Sequence, residues 1–251
     1  MRISHVIRGE DHLSNTSKHV DLYHALGVTP PQYAHLPLIL KDPKMGQGKM
    51  SKRDRGALIE EYQQRHFLPA AVRNAIALLG RSPGGDREVM DIGEIIEAFD
   101  IRQIQKGAAR FDEAKMNHIN FQYLKALPVE TYAWFARPVL AGKGLLPEPH
   151  DEDYLQRVLA LCKDKITSLE ALPEFCAYFF TDDFPADPKT AEKLAKKGDP
   201  RALAAAHGEE KPFRWWPVTR FALSGLSSGP EFLPMLEVLG RDRVLRRLAR
   251  L

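Results

Sequence analysis

Residues 5–40 read HVIRGEDHLSNTSKHVDLYHALGVTPPQYAHLPLIL. The short β-prone run HVI ends in a polar cluster, Arg8-Gly9-Glu10-Asp11-His12. Ser14, Asn15 and Thr16 are side chains that cap helix N-termini. They precede a helix through Val20, Tyr23 and Leu26 that Gly27 can end. YAHLPLIL, residues 33–40, then reads as a second strand. Strand, helix, strand is the crossover unit of a parallel sheet. Such sheets bind ligands outside the carboxyl ends of their strands. The pattern therefore sends Arg8, Asp11 and His12 to one edge.

The second strand delivers GQGKMSKRDRG, residues 46–56, to that same edge. Gly46 and Gly48 free the backbone, while Lys49, Lys52 and Arg53 concentrate positive charge. Attack at a nucleotide's α-phosphate releases pyrophosphate, and negative charge grows on the leaving oxygens. Ammonium groups closing on those oxygens lower the barrier by about 3 kcal/mol per good donor. A loop that closes for chemistry and opens for release suits that task. A solvated cationic turn has the same composition, so the loop gains meaning only from the strand ends beside it. Arg8, with its planar fork, can clamp a carboxylate.

Beyond Leu58 the pattern is helical, with no convincing strand after about residue 60. Pro69 opens a helix carrying Val72, Ile76 and Leu79 before Gly80. Asp91 and Glu94 have capping-box spacing ahead of Ile92, Ile95, Ile96 and Phe99. Further helices are predicted from Asp112, over 154–163, through Leu169, Leu172 and Phe175, over 188–197, over 218–223, and from Arg241 to the end. ALPVE at 126–130 and GKGLLPEPHDED at 142–153 read as connections.

The 251 residues suffice for one large domain or two smaller ones. With 44% hydrophobic and 27% charged residues, the composition is that of a soluble globular chain. No apolar run reaches the roughly 20 residues that span a bilayer, so no membrane role is expected. Cys162 and Cys176 form no CxxC pair; a disulfide framework or zinc site is not expected, and a cytoplasmic setting fits. Residues 1–58 hold 9 Lys/Arg against 5 Asp/Glu, and residues 211–251 hold 8 against 3. Two basic ends flank an acidic middle, a distribution able to meet a polyanion twice. Arg243, Arg246, Arg247 and Arg250 share one face at helical spacing, with Val244, Leu245 and Leu248 free to turn inward. Arg214, Trp215, Trp216 and Arg220 interleave cations and aromatics, as single-strand binders do, although a tryptophan there can equally be core.

HVIRGEDHLSNTSKHVDLYHALG, YAHLPLIL and GKMSKR together resemble the second half of the catalytic domain of a class I glutamyl-tRNA synthetase. KMSKR matches that family's second signature loop. FLPAAVRNAIALLGRSP and FDEAKMNHIN are similar to its following helical segments. LCKDKITSLEALPEFCAYFF and RFALSGLSSGPEFLPMLEVLGRDRVLRRL resemble its helical anticodon-binding region.

The resemblance implies a fold class: an α/β remnant, the second half of a class I Rossmann-like catalytic domain, then a mostly α-helical stem-contact and anticodon-binding region. It implies boundaries at 1–58, 59–125 and 126–251 for these three parts. It implies glutamate–tRNA ligase chemistry, with ATP, L-glutamate and tRNA(Glu) as partners and no DNA. Mg²⁺ would accompany ATP as substrate, without a dedicated protein metal site. Arg8 would hold the glutamate α-carboxylate, and Asp11 and His12 would lie beside the adenosine. Lys49, Ser51 and Lys52 would form the ATP-closing loop, with Arg53 supporting Lys52. Arg214, Trp215, Arg220, Arg243, Arg246, Arg247 and Arg250 are the candidate tRNA contacts.

The family's preceding half, with its HIGH-type signature, has no counterpart in these residues. The chain alone is therefore expected to catalyse little ATP–pyrophosphate exchange. Two alternatives stay open: a non-enzymatic tRNA-binding module using the same surface, and a class I ATP-dependent ligase of another type. The absence of strands in the second half speaks against the glutaminyl branch, whose members resemble β-barrel readers there.

Overall fold

The computed structural model describes residues 2–80, 87–146, 148–195 and 216–249. The chain divides into two compact units, residues 1–123 and 124–251.

The first unit begins with β1 (His5–Gly9), a 3-10 turn (Glu10–His12), α1 (Leu13–Ala25) and β2 (Gln32–Leu36). The strands pair in parallel, Arg8 opposite His35 and Gly9 opposite Leu36. Gly27, at φ +66°, ends α1 as its left-handed backbone allows. Two expectations need correction. The helix starts at Leu13, so Ser14–Thr16 lie inside its first turn; its N-cap is His12, which makes no side-chain cap bond. Thr16 Oγ1 donates instead to the His12 carbonyl at 3.3 Å. The second strand stops at Leu36, because Pro37 has no N–H to continue a ladder. Leu40 is engaged separately, bridging to Lys49 on one side and Arg110 on the other.

The helices α2 (Ile59–Gln64), α3 (Pro69–Gly80), α4 (Ile92–Ala98) and the start of α5 (Glu113–Ala126) follow. Pro69 opens α3, and the Asp91–Glu94 capping box opens α4. The buried centre of this unit is built from Tyr62, Phe67, Leu68, Val72, Phe111, Met116 and Ile119. Two buried asparagines tie its loops. Asn74 Oδ1 accepts Met90 N at 2.6 Å, and Asn120 Oδ1 accepts Leu68 N at 3.0 Å. Among residues 2–61, by contrast, none is fully buried.

The second unit contains α6 (Val129–Gly142), α7 (Glu152–Cys162), α8 (Leu172–Phe180), α9 (Pro188–Ala195), α10 (Trp216–Ser224), α11 (Phe232–Leu239) and α12 (Arg241–Leu248). The sequence pattern marks no helix over 131–141, yet α6 runs through it with Pro138 inside. Pro138 is tolerated because it and Trp134, whose carbonyl loses its i+4 donor, both lie on the exposed side. The opposite side of α6 buries Tyr132, Ala133, Ala136, Val139 and Leu140. Cys162 and Cys176 are free, buried thiols, and burial pushes both up, Cys176 to about 12. Among the described residues no helix is long and apolar enough to cross a membrane, and no cluster of three His, Cys, Asp or Glu is disposed to hold a metal ion.

Candidate functional site

Beyond β2 the chain runs Ile39–Lys41 and returns as Gly48–Met50. Lys41 N donates to Gly48 O at 3.0 Å, and Met50 N donates to Ile39 O at 2.8 Å. The basic loop is thus the tip and returning arm of a short hairpin. Asp42 caps the 3-10 turn Pro43–Met45 at its tip, and Gly46 (φ +114°) and Gly48 (φ +97°) reverse the chain.

The returning arm reaches a tight turn whose ends are Ser51 and Asp54. Asp54 N donates to Ser51 O at 3.0 Å, leaving Lys52 and Arg53 as the two central residues. Both are exposed, and neither forms an ion pair among the described residues. Asp54 Oδ2 accepts from both Ser51 N and Ser51 Oγ at 2.7 Å, and Oδ1 pairs with Lys41 Nζ at 2.8 Å. These bonds, with Lys41 the strongest influence, hold the Asp54 carboxyl down at about 2.

Past the turn, Gly56 sits at φ +79°. Its N–H donates to Glu61 Oε2 at 2.6 Å, and its carbonyl accepts Tyr62 Oη at 2.7 Å. A β-carbon there would come within 2.8 Å of both Tyr62 and Phe111, so only glycine fits.

A crevice of about 500 Å³ opens beside this loop. Its walls include Gly9 and Asp11 from the end of β1, Leu36 from the end of β2, and Lys49, Ser51 and Lys52 from the hairpin. Tyr62, Phe111 and Met116 supply apolar floor. Lys49 Nζ forms an ion pair with Asp11, and that bond holds the Asp11 carboxyl below its usual range. Of the residues singled out in the sequence, Asp11, Lys49, Ser51 and Lys52 meet in one crevice. His12 lies in the turn after β1, exposed, outside the crevice lining. Arg53 occupies the corner of the loop.

Arg8 departs from expectation. Successive side chains of a strand point to opposite faces. Gly9 and Leu36 face the crevice; Arg8 and its partner His35 face α1. There Arg8 Nη2 donates to Thr16 Oγ1 at 2.7 Å, Nε reaches His35 at 3.4 Å and Nη1 lies 3.4 Å from His19. The guanidinium also lies 5.3 Å from the Tyr33 ring centroid. The expectation that Arg8 and the basic loop share a crevice is therefore corrected, because the strand's two-residue period separates them.

The second unit revises the arginine face. Arg247 is 2% exposed. Its Nη1 donates to Leu223 O at 2.6 Å, and Nη2 donates to Tyr178 O at 2.8 Å and Thr181 O at 3.0 Å. Nε and Nη2 both reach Asp182 Oδ1, at 3.0 and 2.7 Å. The last carbonyls of α8 and α10 have no intrahelical donor and carry the negative end of each helix dipole. One guanidinium satisfies both ends and, by this hydrogen bond, keeps Asp182 below its usual range. Arg243, four residues earlier, is half-buried and donates to Tyr154 Oη at 3.0 Å and to Phe179 O.

The helix thus turns Arg243 and Arg247 inward and leaves Leu245 54% exposed, against expectation, while Arg246 is exposed and Val244 and Leu248 are partly buried, as expected. A buried fork with five donors suits carbonyls that no aliphatic side chain can satisfy. Arg246 is exposed and pairs with Asp182 at 3.4 Å. Arg220 packs over Phe232, 5.4 Å from the ring centroid, with Nη1 3.9 Å from Met235 Sδ; burial pushes its pKa down. Trp216 stacks on Phe232 at 5.2 Å. Arg214, Trp215 and Arg250 lie outside the described residues. Asp54 and Lys41 carry no role in the sequence reading, and Arg241 enters it only as the first of the arginines on the C-terminal helix. Arg241 joins Tyr154, Arg243 and Arg246 around a surface depression of about 360 Å³ at the start of α12. Its place just after Gly240, a helix start, was the available signal; for Asp54 it was the three-residue spacing from Ser51.

Comparison with known proteins agrees with this layout. Residues 1–118 match the catalytic domain of the class I tRNA synthetases (E and Q), and residues 127–209 and 201–251 match an anticodon binding domain. The chain belongs to the class I glutamyl-tRNA synthetase family and is similar to a C-terminal portion of its members. It is 37% identical over 272 residues to a glutamate–tRNA ligase of Akkermansia muciniphila, covering 99% of this chain and 60% of that one. A glutamate–tRNA ligase of Moorella thermoacetica is 35% identical over 278 residues, covering 100% of this chain and 56% of the relative. The crystal structure of a glutamate-tRNA synthetase from Elizabethkingia anophelis superposes with a TM-score of 0.79 at 28% identity, covering 100% of this chain and 57% of that chain. The chain thus spans well under two thirds of the length of these relatives.

Proposed function

We propose that the chain serves glutamate–tRNA ligation: ATP-dependent activation of L-glutamate and its transfer to tRNA(Glu). The carrying observation is that Asp11, Lys49, Ser51 and Lys52 line one crevice at the carboxyl ends of two parallel strands. In this reading the glutamate carboxylate attacks the α-phosphorus of ATP, and pyrophosphate leaves. The Lys52 ammonium meets charge growing on the leaving oxygens, and Arg53 reinforces it. Lys49 exchanges Asp11 for phosphate as the loop closes. Asp11 and His12 lie towards the adenosine. Mg²⁺ enters with ATP as substrate. Arg8, held on the α1 side of the sheet by Thr16 and His35, is given no part in the crevice chemistry.

We assign residues 59–125 to bracing the tRNA stem and residues 126–251 to the anticodon arm. On the described surface, Arg241 and Arg246 are the phosphate contacts we favour, since Arg243 and Arg247 are engaged internally. The two reduced thiols accord with work in the cytoplasm.

The test is binding of tRNA(Glu) to the chain, with affinity falling about tenfold or more from 50 to 200 mM salt as counterions are released. A flat salt response, or equal affinity for an unrelated RNA, would overturn the tRNA reading. The second reading, a non-enzymatic tRNA-binding module, is favoured by the lack of any fully buried residue over 2–61. Binding of Mg·ATP in the crevice separates the two. Binding that Lys52→Ala weakens supports the ligase; tRNA binding with no Mg·ATP binding supports the module.

A further inference from the structure

We propose that Asp54 is the positioning residue of the basic loop, the group that sets where Lys52 and Arg53 point. This rests on the nucleotide reading given above and adds to it a residue that touches no substrate. Both carboxylate oxygens are used. Oδ2 holds Ser51 through its N–H and its hydroxyl, each at 2.7 Å, which closes the turn carrying the two cations. Oδ1 holds Lys41 Nζ at 2.8 Å. Lys41 belongs to the outgoing arm of the hairpin, whose backbone is itself bonded to Gly48 on the returning arm. Asp54 therefore fastens the turn to the outgoing arm of the hairpin, at the residue just before its tip.

The Asp54 carbonyl continues the chain of bonds by accepting Ala57 N at 3.1 Å, just ahead of the fixed Gly56. Without the carboxylate, the turn keeps its backbone bond and a long Arg53 N–H to Ser51 Oγ contact of 3.4 Å, and the cations lose a defined direction. Preorganised charge acts only when it is already aimed at the place where charge develops. Asparagine at this position offers one acceptor oxygen, so it can serve Ser51 or Lys41 but not both, and its amide nitrogen faces a second donor.

Amide hydrogen exchange over residues 49–57 and calorimetric titration with Mg·ATP test this on the full chain. In Asp54→Ala, exchange at Ser51 and its neighbours rises about tenfold or more and the Mg·ATP dissociation constant rises about tenfold, while the melting temperature stays at the wild-type value. Ser51→Ala, a milder change, moves both in the same direction, and Asp54→Asn falls between. Lys52→Ala weakens Mg·ATP without changing exchange. Wild-type exchange and affinity in Asp54→Ala would overturn the proposal. If the wild-type chain binds no Mg·ATP, the nucleotide reading fails. The hold of Asp54 on the turn is then decided by exchange alone, faster supporting it and unchanged overturning it.

Discussion

Residues 2–61 and the helices of the second unit are stabilised in different ways. The first stretch holds its shape with parallel-strand pairing, a two-armed hairpin and ion pairs, without one fully buried side chain. The second buries Tyr132, Leu140, Leu155, Leu159, Leu172, Phe179, Leu223 and Met235 completely and satisfies its helix ends from within through Arg247. Burial gives roughly 25 cal/mol per Å² of apolar surface, whereas exposed ion pairs give about 1 kcal/mol or less. The region that presents chemistry is therefore the weakly held one, and the region that carries the fold's stability keeps its best-placed arginine for itself. A cationic side chain in this family is not evidence of an RNA contact until its partners are known.

The contrast is broken most forcefully at Arg247. Arg247→Ala leaves buried helix-end carbonyls without a donor and should lower the unfolding free energy by about 3 kcal/mol, measured by urea denaturation. Arg246→Ala, on the same helix but exposed, should change it by less than about 0.5 kcal/mol. Equal effects would erase the distinction between inner and outer arginines.

A comparable loss of about 2 kcal/mol is expected locally from Gly56→Ala, where the positive φ and the approach of Phe111 and Tyr62 act together. It should appear as faster exchange at residues 51–62, with the helices of the second unit unchanged. Smaller still is the effect of outer charge on RNA binding. Arg246→Ala should reduce the slope of log K against log salt by about 0.7 to 0.9, the share of one phosphate, and relax no sequence preference.

The smallest effect is set by pH. The Asp54 carboxyl is lowered from 3.8 to about 2 in the folded chain. Its contribution is therefore fully present above about pH 4 and is lost as pH falls through about 2. The side-chain carboxyl carbon signal of Asp54 should stay on its ionised plateau from pH 7 to 4. A midpoint near 4 would mean that Ser51 and Lys41 do not hold it.

Much of the chemistry-bearing edge was legible because its signals are local. Glycine at 27, proline at 69 and the Asp91–Glu94 pair each act within a turn of the chain, and each does in the structure what its residue type dictates. Three things were not legible, and each depends on something beyond local pattern. Arg247 meets partners 24 to 69 residues away, and an arginine on an amphipathic helix looks the same whether it faces water or a row of carbonyls. Helix α6 hides behind Pro138, whose cost depends on which face of the helix meets solvent. Arg8 and Gly9 are neighbours in sequence but face opposite sides of the sheet, which only the pairing register reveals.

The central claim is that the strand end at Asp11 and the loop at Lys49–Lys52 form one nucleotide crevice, and the amide chemical-shift footprint of Mg·ATP tests it most directly. The account predicts that residues 9–12 and 48–54 shift together, at one apparent affinity, and that Lys52→Ala weakens both. Shifts confined to the arginines of the second unit, or a response at the loop that leaves residues 9–12 unmoved, would contradict it.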